Sequence, residues 1–441
     1  MPEFPPPQTG SLTWGELRTL ALATLGGALE FYDFVIFAYF AKIIAQHFFP
    51  AIQPDWLRQT ETFGLFGAGY LARPLGGVVM AHFGDRHGRK KMFAFSVLLM
   101  AAPTLLMGLL PGFGTLGIGA PLALLLLRMA QGAAIGGEAP GGWVFVAEHA
   151  SAGRTGLACG LLTGGLTAGM LIGSLVALGL NLALPPAAIV AWGWRLPFIL
   201  GGIFGLIAMK LRRWLEETPV FTEMHARDAL ARQTPLVAVL RTCRRAVILS
   251  IIGTWTLTAA IVVLLLMMPS LLQTLYGFSP ARTMDASLVA TVSVTVASVA
   301  IGAATDRWGL RGMIPPVVGL LIAGAWGLYA LAPAHPGWFL PLAALAGIGA
   351  GYVSLVPIAM VRAFPAAVRF SGLSFSYNLS YAVFGGLTPA CVSALVGHDP
   401  QAPALYVIGT ALAGGAALWA MPGAKRDLTR TCHGRESPFH A

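Results

Sequence analysis

Five charged side chains stand where the 441-residue chain is otherwise apolar: Glu30 and Asp33 in the stretch LGGALEFYDFVIFAYF, then Arg73, Arg128 and Glu138. Glu30 and Asp33 are three residues apart, so a helix sets them on one face, about 4.5 Å apart in height. A single acid at the centre of a membrane-spanning helix costs about 2.5–3.5 kcal/mol on insertion scales, so two of them call for a cavity, a partner or a proton. The chemistry within reach is reversible protonation. Burial favours the neutral acid, a nearby arginine favours the carboxylate, and a change in arginine distance or hydration moves the proton on and off. Asp33, with the shorter stem, is expected to carry that proton, with Glu30 as helper and Glu138 as the next candidate. Arg73 and Arg128 present planar guanidinium groups suited to gripping a carboxylate with two prongs. A fixed ion-pair cluster that only holds helices together is the competing reading.

The elements that must position these residues follow from composition. The chain is 56% hydrophobic and 10% charged, against about 25% charged in an ordinary soluble domain. Runs long enough to cross about 30 Å of hydrocarbon occur near 17–48, 58–83, 91–110, 119–147, 155–183, 195–214, 246–275, 283–304, 313–333, 337–361, 370–396 and 402–421. All twelve are expected to be helices, because in lipid only helices and closed barrels satisfy the backbone. At 1.5 Å per residue Arg73 lies just inside the midpoint of its run, with Arg128 and Glu138 about 7 Å to either side of the middle of theirs. The polar stretch from Glu216 to Arg245 separates two sets of six. The expected organisation is a tail over 1–16, a six-helix half over 17–214, a central loop over 215–245, a second half over 246–421 and a tail over 422–441.

The net charge of +10 is distributed by topology rather than gathered for nucleic acid. Even-numbered gaps hold GDRHGRKK, EHASAGR, the central segment, TDRWGLRG and VRAFPAAVR, whereas odd gaps hold little beyond Arg58 and Arg282. By the positive-inside rule the even gaps and both termini are cytoplasmic, in accord with Lys425, Arg426, Arg430 and Arg435. Trp56, Trp192, Trp194 and Trp338 at outer run ends are expected to form an interfacial belt. No cleavable signal peptide is visible in the Pro-rich start, and the four cysteines read as incidental thiols without metal spacing.

An internal repeat carries the most information. Asp85-Arg86-x-Gly88-Arg89 follows the second run, and Asp306-Arg307-x-Gly309-x-Arg311 follows the eighth, one six-helix set later. Two such halves related by a parallel repeat describe an architecture in which a substrate binds between them near the midplane. With this loop the chain resembles the major facilitator superfamily, and within it the metabolite:proton symporter family, although Ala81 stands where that loop usually has glycine. Arg128-x-x-Gln131-Gly132 through Glu138, followed by Glu148 and Arg154, is similar to the family's fourth helix. Gly193-Trp194-Arg195-Leu196-Pro197-Phe198 and Phe364-Pro365 through Arg369, Tyr377 and Asn378 extend the likeness over nearly the whole chain.

That resemblance implies an all-α membrane protein of twelve helices that imports a small polar metabolite, expected here to be an organic acid, by proton symport with alternating access. A proton antiporter or exporter, or uptake of a zwitterionic osmolyte, is the alternative on the same fold. Expected roles are proton coupling for Asp33, Glu30 and Glu138 and substrate binding for Arg73, Arg128, Tyr377, Asn378 and Tyr381. Gating falls to Asp85, Arg86, Gly88, Arg89, Glu148, Arg154, Asp306, Arg307 and Arg311. Thr254, Thr256, Thr258 and Ser374 are neutral candidates for the cavity wall. No cofactor or metal is expected beyond the proton as coupling ion, no nucleic acid is expected as partner, and a monomer in the bacterial inner membrane is expected to suffice. Gly112-x-Gly114-x-x-Gly117 matches a dinucleotide fingerprint but lacks the preceding strand, and no P-loop, HExxH or GxSxG occurs, so an enzyme is not expected.

Overall fold

The computed structural model describes residues 14–50, 52–151, 153–227 and 235–421. The side chains of Glu30, Phe34, Trp56 and Arg213 lie outside the described residues, as do most of the first tail, residues 228–234 and the second tail with its four basic residues. Among the described residues there is no strand. The first half comprises α1 Trp14–Phe48, α2 Asp55–His87, α3 Arg89–Leu109, α4 Gly119–His149, α5 Thr155–Ala183 and α6 Arg195–Leu211. In the second half α7 is Arg244–Ile261, prolonged through a π-turn at Val262–Leu266 to Tyr276. A single stretch Pro280–Trp326 then holds α8 and α9, divided at Gly309. The remaining helices are α10 Phe339–Ala350, prolonged to Ala363, α11 Arg369–Val396 and α12 Ala402–Ala420.

Length and apolarity alone recognise nine spans among the described residues, or ten when the pair Pro186–Gly193 and Arg195–Leu211, bent by 49°, counts as one. Gly309, with φ 76 and ψ 156, splits one of the nine into two helices. The twelfth is α2, whose apolar content is diluted by Arg58, Glu61 and Arg73 along its length. Gly88 ends α2 at φ 111, so both copies of the repeated motif place a left-handed glycine three residues after the aspartate, where a Cβ is unfavourable.

Small residues bring the helices close enough to position the charges. Gly132 and Gly136 of α4 press against the backbone of Gly69 and Arg73 on α2 with no room for a Cβ, which is how small residues serve helix pairs in lipid. The result sets Arg73 and Arg128 on adjoining walls. Between the halves α2 packs on α11 and α5 on α8, and in the latter pair Gly156 and Gly302 meet backbone to backbone. An apolar cluster of Tyr32, Ile36, Phe37, Phe40, Phe48, Trp194 and Phe198 fills the first half away from the basic loops. Trp194, expected in an interfacial belt, is instead buried there at 1% exposure, edge-on to Phe48 and Phe198, while Trp192 and Trp338 are exposed. Its position at a run end gave no sign that the bend before α6 would turn it inward.

Candidate functional site

At the centre of the first half, α1, α3 and α4 converge on one polar knot. Gln131 Nε2 donates to Asp33 Oδ2 at 2.6 Å and to Thr104 Oγ1 at 2.7 Å, while Gln131 Oε1 accepts from Arg128 Nη1 at 2.7 Å. Arg128 Nη1 lies 3.4 Å from Asp33 Oδ2, and its guanidinium carbon stands 3.4 Å from the centre of the Phe37 ring. All four polar side chains are buried, and Asp33 Oδ1 has no hydrogen-bond partner. Taking these charges out of water costs several kcal/mol per ion, which only close pairing and full hydrogen bonding offset.

Arg128 and Gln131 form part of the wall of a cavity of about 30 Å³, together with Gly69, Tyr70, Arg73, Gly132 and Ile135. A second cavity of about 10 Å³ shares Tyr70, Arg73 and Ile135 and is completed across the midline by Ile261, Val262, Leu266 and Tyr381. The π-turn of α7 supplies two of those residues. Arg73 stands 5.2 Å from the ring centre of Tyr70 and 4.8 Å from that of Tyr381, and the two rings are parallel within 8° at 6.4 Å. Asp33 stands one contact behind this wall, reached through Arg128 and Gln131.

The other expected site residues fall elsewhere. Glu138 is held by Arg212, whose Nη2 lies 2.6 Å from Oε1 and whose Nη1 lies 3.1 Å from Oε2, and Ser96 Oγ donates to the same carboxylate. Arg212 also donates to the carbonyls of Phe93 and Ala23, so this acid is a fully engaged partner of a buried arginine. Asn378 and Ser374 of α11 both donate to the carbonyl of Gly136 on α4, at 2.7 and 3.0 Å, and Tyr377 stands edge-on to Trp143 at 5.0 Å. These residues lie in the contact between halves, whereas Tyr381 lies on the second cavity. Thr258 bonds back to the Thr254 carbonyl and Thr256 donates to the Thr410 carbonyl, so both hydroxyls are spent within the second half.

The repeated loops meet the opposite halves in matching ways. Asp85 Oδ2 accepts from the backbone N–H of Ser371 at the start of α11, 2.9 Å away. Asp306 accepts from Gly156 and Leu157 at the start of α5, both at 2.7 Å. Each aspartate thus sits at the positive N-terminal end of a helix in the other half. Arg89 Nε lies 2.9 Å from Glu148, which also pairs with Arg369 at 2.8 Å and accepts from Thr218 at 2.8 Å. Arg89 donates in addition to the Ala366 carbonyl of the second half. Arg362 lies 3.8 Å from Asp306. Arg86 and Arg154 are half-buried and Arg307 and Arg311 exposed at this same face. The bonds between halves named above lie on the side of the basic loops and reach inward as far as Thr167 and Thr295, 3.0 Å apart.

Sequence reasoning passed over Thr104, Arg212 and Tyr70 and quoted Gln131 and Arg369 only within motifs. A threonine in an apolar run most often bonds its own helix, and Arg212 at a run end reads as an ordinary basic flank.

This two-half helical architecture, with paired charges at its centre and matching aspartate contacts between the halves at one face, is that of a membrane transporter. Residues 23–389 match the model of the Major Facilitator Superfamily. The chain is 32% identical to the citrate-proton symporter of Klebsiella pneumoniae over 397 residues, covering 89% of this chain and 88% of that protein. It is 31% identical over 423 residues to the glycine betaine/proline/ectoine/pipecolic acid transporter OusA of Dickeya dadantii (strain 3937), covering 91% of this chain and 82% of that one. Its fold is similar to that of the proton:xylose symporter XylE bound to 6-bromo-6-deoxy-D-glucose, at TM-score 0.76 and 17% identity, covering 93% of this chain and 96% of that one. The chain therefore belongs to the major facilitator superfamily, in its metabolite:proton symporter branch.

Proposed function

We propose that the protein imports a small organic acid together with protons across the bacterial inner membrane, as a monomer with both termini cytoplasmic. The observation that carries this reading is the Asp33–Gln131–Arg128 knot directly behind a cavity walled by Arg73 and Arg128. Asp33 is the proton site, with Glu30 one helical turn away on the same helix. Arg73 and Arg128 take the substrate carboxylate, Tyr381 closes over it, and Tyr377 and Asn378 come within its reach when the halves part. The Asp85, Arg89 and Glu148 cluster and the Asp306 pair close the cytoplasmic side, with Arg86, Arg154, Arg307 and Arg311 supplying its basic rim. The described arrangement is then the state closed to the cytoplasm. The citrate-proton symporter among the relatives supports an acid as cargo. One observation favours a zwitterionic osmolyte instead: the parallel faces of Tyr70 and Tyr381 suit a quaternary ammonium group, and OusA is a relative.

The substrate is found by a transport screen over di- and tricarboxylates, shikimate-like acids and betaines. With it, Asp33→Asn in proteoliposomes is expected to lose uphill accumulation driven by an inward proton gradient while keeping counterflow, because the amide stands in for the protonated acid. Undiminished accumulation in Asp33→Asn and again in Glu30→Gln would remove these acids from the proton path.

A further inference from the structure

Two features of the knot bear on how the state of Asp33 reaches the cavity. Asp33 does not line either cavity described above, whereas Gln131 lines one of them and makes the shortest bond to the acid. Arg128 lies 3.4 Å from Asp33 but 2.7 Å from the Gln131 oxygen, so the shorter hydrogen bonds linking acid and arginine run through the amide, beside the direct ion pair.

The orientation of that amide follows from its partners. Arginine only donates, so it must face Oε1. The Asp33 carboxylate only accepts, and Thr104 has spent its proton on the Met100 carbonyl at 2.8 Å, so both must face Nε2. Such a chain of bonds is cooperative: a negative charge at one end polarises the amide and strengthens its oxygen as an acceptor at the other.

We infer that Gln131 is the positioning residue through which protonation of Asp33 loosens Arg128. With Asp33 ionised, the amide and the direct ion pair hold the guanidinium against α1 and the Phe37 ring. A proton arriving from the cavity neutralises the carboxylate, and both holds weaken together. The neutral acid is the weaker acceptor for the Gln131 N–H, so the amide is less polarised and its oxygen holds the guanidinium less strongly. Arg128 already borders the cavity, so an anionic group there then competes for it with a weakened Asp33 and Gln131. The other described titratable or charged groups around the knot are Tyr32 on α1 and Tyr70 and Arg73 on α2. None of the bonds named above joins Arg73, Tyr70 or Tyr32 to the Asp33 carboxylate.

The inference rests on Asp33 being the proton site, and the test separates the two. Spin labels at the exposed positions His87 and Trp308, one on each half, report the cytoplasmic opening as a function of pH in substrate-free protein. The native side chains are expected to give a pH-dependent change in population that Asp33→Asn abolishes. Gln131→Leu is expected to abolish it too or to move its midpoint by more than about one pH unit. Gln131→Asn, which keeps an amide on a shorter stem, is expected to retain the response with a displaced midpoint, and it carries the test should the leucine variant fail to fold. A native response lost in Asp33→Asn but unchanged in midpoint and amplitude in the folded Gln131 variants overturns the inference and leaves the proton site standing. A response that survives in Asp33→Asn, or is missing from the native protein, overturns both.

Discussion

Arg128 does three things with one guanidinium: it pairs with Asp33, donates to Gln131 and lies on the Phe37 ring. A lysine keeps the charge but loses the planar fork and its fit to the ring face. A hydrogen bond involving a charged group contributes about 1.5–3 kcal/mol. Arg128→Lys is therefore expected to lower the initial uptake rate about tenfold or more, measured with apparent affinity in proteoliposomes; normal rate and affinity would show that only the charge matters. At this scale the sequence revealed the charges and hid most of their partners. Asp33 and Arg128 stand out because ionised groups in apolar runs are costly and must have a reason. Gln131 and Thr104 carry no such penalty signal, and Arg212, fully buried on Glu138, resembles any arginine flanking a membrane segment. Removing one member of that buried pair would strand the other, which generally costs about 3–5 kcal/mol, so Glu138 reads first as a structural acid.

Among the elements, the two aspartate caps are the clearest products of the repeat. The motif spacing made the recurrence of Gly88 and Gly309 legible, but not that both would take a positive φ. It could not reveal which helix each aspartate would meet, because Asp85 reaches Ser371 and Asp306 reaches Gly156 across the interface between halves. Loss of a helix N-terminal acid costs about 1 kcal/mol. Asp85→Asn and Asp306→Asn are each expected to lower the closed-to-open ratio at the cytoplasmic face about fivefold, and the pair together by roughly the product, the caps being separate sites. A cysteine at Ser374, buried in the closed contact, reports this through its reactivity toward a cytoplasmic thiol reagent. Unchanged reactivity in both single variants would mean that the caps hold nothing shut.

For the whole molecule the decisive contact is the one between α5 and α8, where Gly156 faces Gly302 and Gly160 also approaches. A β-branched side chain there meets backbone rather than a movable side chain, and overpacking costs about 1–3 kcal/mol. Gly302→Val is expected to fold but to stay open to the cytoplasm, with uptake reduced about tenfold and the Ser374 position reactive in the majority of molecules. Uptake at the native rate would show that the helices do not need this approach. That contact also bears on the speed of the cycle. Two surfaces of bare main chain meet like the faces of a flat seal: they can part and meet again without any side chain having to change rotamer. On the proposed cycle the bonds that must break on each stroke are the directed ones beside it, in the aspartate caps and the Glu148 cluster, so the pace of turnover belongs to those few bonds.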